Sequence, residues 1–359
     1  MKKNWWKYLG VLIIIYTFVA GLGVPLKHGI DGVSPSSAKT GEVLNLQIVG
    51  YNSHYLTGAD SMRAWLRMDL ENSVNTEDFL LQAEQIRVKT DRLAELQFRI
   101  PEYLPTTDRV KDFTLIADNA ADGTTVIPQA VFISQDSINP AAANAVYKPL
   151  ELVGLHSEWR YAFPYRTILY ETIRNTYFHV ALWFAMLFLF MRGIWFSYRY
   201  LKKGYDPVDD AKAMSFTAVG LLMGVLGLIT GAIWAKYTWG AYWSNDVKQI
   251  TTAVALLIYL AYFVLRDAFE DEEKRARIAA IFAVFAFVAL LLLIYVVPRL
   301  TESLHPGNGG NPALGSDDLD NTMRTVFYPC IIGWCLIGAW IANIMWRMRA
   351  LELRFLDEE

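Results

Sequence analysis

The sequence predicts a membrane protein, an all-α bundle of six transmembrane helices with an inserted extracytoplasmic β-sandwich of immunoglobulin-like type. Hydrophobic residues make up 54% of the 359 positions, a composition that suits a membrane protein better than a single soluble core. Six apolar runs approach the roughly 20 residues that a membrane-spanning helix needs. The longest polar stretch between them contains strand-like segments. The net charge of −3 gives no reason to expect a nucleic-acid partner.

The six predicted spans are residues 8–26, 176–197, 214–235, 250–265, 278–297 and 326–346. The first run follows a basic segment and could be a signal peptide. The residues at its end, Pro25, Leu26 and Lys27, make a poor cleavage site, so we interpret residues 1–26 as an uncleaved anchor helix. Residues 176–349 then form a five-helix membrane domain.

Basic residues predict the orientation of the spans. Four basic clusters fall on one side if the spans alternate in direction: Lys2, Lys3 and Lys7; Arg199, Lys202 and Lys203; Arg266, Lys274, Arg275 and Arg277; Arg347, Arg349 and Arg354. Cytoplasmic loops carry the excess of Lys and Arg. We therefore expect a bacterial inner-membrane protein with both termini in the cytoplasm, residues 27–175 outside, and residues 350–359 as a cytoplasmic tail.

The extracytoplasmic segment reads as a β-sandwich over residues 27–155, followed by a linker of aromatic and charged residues over 156–175. Strand-like runs occupy residues 43–49, 95–100 and 113–117, and residues 73–85 read as a helical insertion. The stretch GVSPSSAKTGEVLNLQIVGYN, residues 32–52, resembles the opening of the immunoglobulin-like IPT/TIG sandwich. That resemblance covers the first strands only.

A dense aromatic motif, GAIWAKYTWGAYWSNDVKQ, ends the third span. Indole and phenol rings favour the membrane interface, which is a sufficient reason for Trp and Tyr at this position. The alternative is a flat apolar shelf for a planar ligand. The aromatic residues concerned are Trp234, Tyr237, Trp239, Tyr242 and Trp243.

The motif also resembles a known family. WGxxWxxD, here Trp239 to Asp246, followed by a span ending in LxYxxYxxLR, here Leu257 to Arg266, is similar to the tryptophan-rich "WWD" haem-handling family of cytochrome c assembly, whose six-span members are the haem exporter C proteins. The resemblance covers the membrane portion from Arg174 to Arg349. Asn245 stands where the family commonly has another tryptophan, and the outer domain is absent from the compact members.

The resemblance implies a haem site with two axial histidines, one at the outer start of the second span and one in the last outer loop. His179 and His305 occupy these positions, on the same predicted side as Trp239 and Trp243. Two neutral imidazoles suit a held haem, of the b type, because no open iron position remains. Taken singly, His179 also suits a helix-end histidine and His305 a solvated loop residue.

Haem propionates need basic partners, and the best-placed candidates are Lys248 and Arg174, with Lys236 as a third. Snorkelling of these side chains to the interface is an equal alternative. Asp246 stands at a predicted helix start, where a carboxylate caps exposed N–H groups, and we favour that role over direct contact with a ligand.

The resemblance implies a binding and handover protein rather than an enzyme. It would present haem at the outer face of the bilayer to a periplasmic haem chaperone, beside ABC transporter subunits and a small membrane subunit. The chain contains no GxxxxGK[ST] and so does not supply the ATPase.

Three alternatives remain. A haem lyase, which attaches haem to apocytochrome thiols, and a quinol-oxidising cytochrome b would both call for histidines inside the membrane, and none of the five here lies mid-span. A membrane anchor whose outer domain binds a partner without haem explains the sandwich but leaves the tryptophan motif unused.

Overall fold

The structure is a computed structural model that describes residues 4–68, 79–146, 152–157, 160–204, 206–305 and 319–356. The chain divides into two compact units. Leu26–Tyr170 form one, called here the β domain, and Met1–Pro25 together with Glu171–Glu359 form the other, called here the helical bundle. Part of the predicted helical insertion, residues 73–78, lies outside the described residues. The rest of it was predicted wrongly, because Phe79–Gln82 form a strand.

The described part of the β domain contains two sheets. Its strands are β1 (Gly29–Ser34), β2 (Ser37–Lys39), β3 (Val43–Tyr51), β4 (Arg63–Met68), β5 (Phe79–Gln82), β6 (Gln85–Thr90), β7 (Leu93–Arg99), β8 (Val110–Asn119) and β9 (Gly123–Ser134). One sheet has the order β1-β3-β7-β6 and the other β2-β9-β8-β4-β5. β2 runs parallel to β9, and the other neighbours are antiparallel.

Period-two burial explains why these segments are strands. Along β3, Leu44, Leu46 and Ile48 are buried while the residues between them are exposed. Together with Phe98 and Phe113 from the two sheets, they form one apolar core. Each such side chain contributes about 1.5–3 kcal/mol on burial. The predicted β-sandwich is confirmed.

The described helices are α1 (Trp5–Gly23), α2 (Pro140–Val146), α3 (Ala181–Lys203), α4 (Pro207–Trp239), α5 (Val247–Asp267), α6 (Glu272–Leu291) and α7 (Asn321–Leu356). α2 belongs to the β domain. The other six, extended by short 3₁₀ or π turns in two cases, are long and apolar enough to cross a membrane. They match the six predicted spans, and the chain is a multi-pass membrane protein.

Helix starts explain why the observed helices run beyond the apolar runs. The Asp206 carboxylate accepts from the N–H groups of Val208 and Asp209 at the start of α4, and Asp271 does the same for Lys274 in α6. A side-chain oxygen at this position satisfies N–H groups that have no partner within the helix. Polar residues flanking the apolar core thus belong to the helices.

Packing inside the bundle depends on close helix approach. The rings of Phe190 in α3 and Tyr259 in α5 stack with centroids 3.6 Å apart. A Cβ atom at Gly220 of α4 would lie 2.7 Å from the Phe190 ring, so only glycine fits there. Arg266, at the far end of α5, makes a bidentate ion pair with Asp210 at 2.6 and 2.7 Å. The Tyr and Arg positions of the second motif are therefore used in packing.

Candidate functional site

His179 lies in a π turn (Thr176–Val180) that precedes α3. Such turns are rare and frequently occur at functional sites. The imidazole packs against α4, where a Cβ atom at Gly231 would lie 2.6 Å from its Cε1. Its Nδ1 lies 2.9 Å from the carbonyl oxygen of Gly227. Because a carbonyl only accepts, Nδ1 carries the proton and Nε2 carries the lone pair.

The Nε2 atom of His179 has a specific partner. The indole N–H of Trp183, one turn along the chain, donates to it over 3.2 Å. An indole only donates, so this contact assigns the same tautomer as the Gly227 carbonyl does. The nitrogen that would bind a metal thus accepts a hydrogen bond from Trp183.

His305 follows the end of α6, and its position depends on Asp246. The Nδ1 atom of His305 lies 2.7 Å from Oδ1 of Asp246, and the other carboxylate oxygen accepts from the hydroxyl of Ser303 at 2.8 Å and the N–H of Leu304 at 2.7 Å. The same carboxylate caps α5 through the N–H of Lys248. Asp246 therefore performs the predicted capping role and also anchors the loop that carries His305.

The charges of this pair follow from burial and hydrogen bonding. Burial opposes ionisation of Asp246, but the hydrogen bonds from Leu304 and Ser303 outweigh it and lower the pKa of the carboxyl group. Burial also lowers the pKa of His305, against the attraction of Asp246. The result is an ionised carboxylate beside a neutral imidazole whose Nε2 lone pair is directed away from Asp246.

Aromatic side chains surround His305. The ring of Trp239 meets the imidazole edge-on at 4.8 Å between centroids, and Trp234 lies 5.0 Å from Trp239. Tyr242 is 59% exposed and Trp243 is 43% exposed, with the Trp243 indole bonded to Asn245. The half-buried rings of Trp234 and Trp239 and the exposed rings of Tyr242 and Trp243 together provide apolar surface at the C-terminal end of α4, called here the tryptophan end of the bundle.

The basic candidates occupy different places. The guanidinium of Arg174 donates to the carbonyl oxygens of Gly21 and Val24 at the end of α1, and to Glu171. Lys236 donates to the carbonyl of Gly240. Lys248 is half-buried and lies close enough to Asp246 to interact with its charge. Of the three, Lys248 has the most direct link to the loop of His305.

The structure thus brings His179 and His305 to the tryptophan end. The two imidazoles lie close enough to interact electrostatically. Each donates through Nδ1, so the lone pair of each lies on Nε2, which in His179 accepts from the Trp183 indole. The rings of Trp239 and Trp234 lie beside His305. Imidazole Nε2 atoms are suitable axial ligands for haem iron, and aromatic rings are suitable for the apolar faces of the porphyrin. The residues fit haem as a bound substrate.

Three contributors were not predicted from the sequence. Trp183 reads as one apolar residue within a span, Ser303 as a loop hydroxyl, and Gly231 as a small helix residue. The i, i+4 spacing of His179 and Trp183 on a helix is the only sequence signal for their contact. The link from Ser303 to Asp246 joins residues 57 positions apart and has no local signal.

The chain is similar in sequence to several known proteins. The family model described as heme exporter protein C (CcmC) matches residues 132–357. Relatives named heme exporter protein C include one from Paracoccus denitrificans, 27% identical over 51% of this chain and 74% of its own length. One from Rhodobacter capsulatus is 23% identical over 52% of this chain and 77% of its own length. One from Haemophilus influenzae is 27% identical over 39% of this chain and 56% of its own length.

The matched region begins near the end of β9 and contains all the candidate site residues, from Arg174 to His305. α1 and most of the β domain lie outside it. Since the family model covers more than half of the chain, this protein belongs to the heme exporter protein C family.

Proposed function

We propose that this protein binds haem at the outer face of the inner membrane and passes it to a periplasmic haem chaperone during cytochrome c assembly. The observation that carries the proposal is the pair of histidines at the tryptophan end, each with Nδ1 bonded to an acceptor and its lone pair on Nε2. The name of the relatives, heme exporter protein C, supports haem as the substrate.

Each residue has a distinct role in holding the substrate. The Nε2 atoms of His179 and His305 are the axial ligands of haem b. Trp239, Trp243 and Tyr242 supply apolar contact. Asp246 fixes the tautomer and orientation of His305, as partners of ligating histidines commonly do. Lys248 is the best-placed residue for a propionate, and Arg174 contributes chiefly by joining α1 to the start of the second span.

Handover requires that both imidazoles be released. In this structure the Nε2 of His179 is satisfied by the Trp183 indole. Trp183 must move aside for His179 to ligate, and it returns when the substrate leaves. The exchange replaces one partner of Nε2 with another, so neither state leaves this nitrogen unsatisfied.

The protein acts as a binding and handover component beside ABC transporter subunits and a small membrane subunit, and not as an enzyme. All five histidines belong to the described residues, and the two in the bundle lie at the tryptophan end. A haem lyase with a second haem inside the membrane lacks ligands here. This distribution favours handover over lyase activity.

Orientation is tested with reporter fusions. We expect fusions after residues 122 and 310 to report outside, and fusions after residues 203 and 274 to report inside, with both termini cytoplasmic. A fusion after residue 274 that reports outside would contradict the proposal, because the site would then face the cytoplasm.

Haem binding is tested in the purified full chain expressed with a haem supply. We expect a Soret band that is lost or shifted in His179→Ala and in His305→Ala, together with failure of cytochrome c maturation. His156→Ala is the matched control, since that histidine lies in the β domain and pairs with Asp118. Full haem with an unchanged spectrum in both bundle variants would refute this site.

A further inference from the structure

A separate group of metal-ligating side chains lies in the β domain. His28, His54 and Asp122 each place one potential ligand atom within 4.8 Å of the other two. His28 precedes β1, His54 follows β3, and Asp122 lies in the turn between β8 and β9. Three segments that are distant in sequence therefore converge on one point, held by the two sheets.

The Asp122 carboxylate is fixed before any cation binds. Its side chain is fully buried. Both of its oxygens accept from the backbone N–H of His54, at 3.0 and 2.9 Å, and Oδ2 also accepts from the side-chain amide of Asn119 at 3.2 Å. Hydrogen bonds of this kind hold a carboxylate ligand in one orientation.

Both imidazoles face the same carboxylate oxygen. Nδ1 of His54 lies 3.0 Å from Oδ1 of Asp122, and Nδ1 of His28 lies 3.6 Å from it. Ligand atoms around a tetrahedral zinc ion, with bonds of about 2.1 Å, are separated by about 3.4 Å. The two separations from Oδ1 lie on either side of that value, and the ligand atoms of the two imidazoles lie within 4.8 Å of each other. Side-chain shifts would therefore bring all three atoms to the spacing that a cation requires.

His28 has a further contact, between its Nδ1 and the backbone carbonyl of Asn52. Ligation through Nδ1 exchanges that contact for a metal bond and places the ring proton on Nε2. Solvent reaches the cluster through His54, whose side chain is 49% exposed, whereas the side chain of His28 is only 4% exposed. The site is buried on one side and open on the other.

We propose that His28, His54 and Asp122 bind a divalent cation of the Zn²⁺ class, with the remaining coordination position open to water. Two imidazoles and one carboxylate suit zinc, whereas Mg²⁺ and Ca²⁺ prefer a shell composed of oxygen atoms. The proposal concerns the β domain alone and does not depend on haem binding by the bundle.

A second aspartate–histidine pair in the same domain provides a matched control. Asp118 accepts from the N–H of His156 at 2.8 Å and contacts its Nδ1 at 2.9 Å, much as Asp122 pairs with His54. Its third neighbour is the Arg63 guanidinium, at 2.6 Å, instead of an imidazole. A fixed positive charge in that place repels a cation, so this pair is structural.

The experiment is a calorimetric titration of ZnCl₂ into the full chain in detergent, after chelator treatment and without haem. We expect wild type and His156→Ala each to bind one more zinc ion than His54→Ala does. If His54→Ala still binds that ion, we expect its affinity to be about 10-fold or more below that of the other two proteins. His179 and His305 are present in all three proteins, so any zinc that they hold cancels in the comparison.

Zinc should also raise the unfolding temperature of the wild type and of His156→Ala, but not that of His54→Ala. His54 is decisive because its half-exposed side chain can be removed without opening the core. Equal zinc stoichiometry and affinity in His54→Ala and wild type would overturn the proposal. Loss of zinc in His156→Ala equal to the loss in His54→Ala would also overturn it.

Discussion

Replacing Trp183 with phenylalanine removes one hydrogen bond at the proposed haem site and keeps an aromatic ring in place. In wild type, the indole N–H donates to Nε2 of His179, and iron must displace it. In Trp183→Phe no donor competes for that lone pair. We therefore expect the variant to bind haem more tightly and to release it more slowly.

The size of the effect follows from the energy of that bond. An intramolecular hydrogen bond contributes about 0.5–1.5 kcal/mol net. Since about 1.4 kcal/mol corresponds to a factor of ten in affinity, removal of the competing donor should lower the dissociation constant for haem by about 2- to 12-fold. Axial ligation is unchanged, so the positions of the haem bands should match those of wild type.

The assay is the rate of haem transfer from purified protein to an excess of apomyoglobin. Trp243→Phe is the matched control, because its indole donates to Asn245 and not to a histidine. We expect slower transfer from Trp183→Phe and no slowing from Trp243→Phe. Faster transfer from Trp183→Phe, or equal slowing in both variants, would refute the competition between indole and iron.

Three further outcomes are expected. Gly231→Ala should weaken haem binding by about 10-fold or more in a haem titration, because the new Cβ atom would lie 2.6 Å from the His179 ring. Gly23→Ala is the control: a Cβ atom there meets nothing within 4 Å, so this variant should bind haem with the affinity of wild type. Trp239→Ala should lower haem occupancy, through loss of about 1–3 kcal/mol of apolar contact, without moving the band positions; a shifted spectrum would contradict this role. Asp118→Asn should destabilise the β domain by about 1–3 kcal/mol at pH 7, measured by calorimetry of the full chain. Burial opposes ionisation of Asp118, but hydrogen bonds to the carboxylate lower its pKa below 3.8, so the wild-type advantage should shrink as the pH falls through that lowered pKa. An advantage that grows on acidification would contradict the assignment.

The six membrane helices could be predicted from the sequence because each is long and apolar enough to be recognised from its own residues. Strand β3 could also be predicted, because the apolar residues Leu44, Leu46 and Ile48 alternate with residues that are exposed. The segment Phe79–Gln82 was predicted wrongly because its strand form depends on pairing with Arg63–Met68, which local pattern does not reveal. Tertiary pairing overrides weak local preference in short segments of this kind.

The histidines of the site were found through a resemblance and not through a local pattern. His179 and His305 are 126 positions apart, and no periodicity relates them. The same reason hid the cluster in the β domain, since His28, His54 and Asp122 come from three segments that are distant in sequence. Asp246 was recognised as a helix cap because capping is a local interaction. Its contacts to Ser303 and Leu304 depend on how two helices meet, and only the structure shows them.

The several bonds on Asp246 have a consequence for how the site opens. One buried carboxylate receives donors from Ser303, Leu304 and His305 in addition to the helix start. Withdrawing one of these donors leaves an ionised, buried group less well compensated, so the remaining bonds weaken together. Residues 303–305 are therefore joined to the start of α5 through one carboxylate, so we expect their contacts to be lost together and not one at a time.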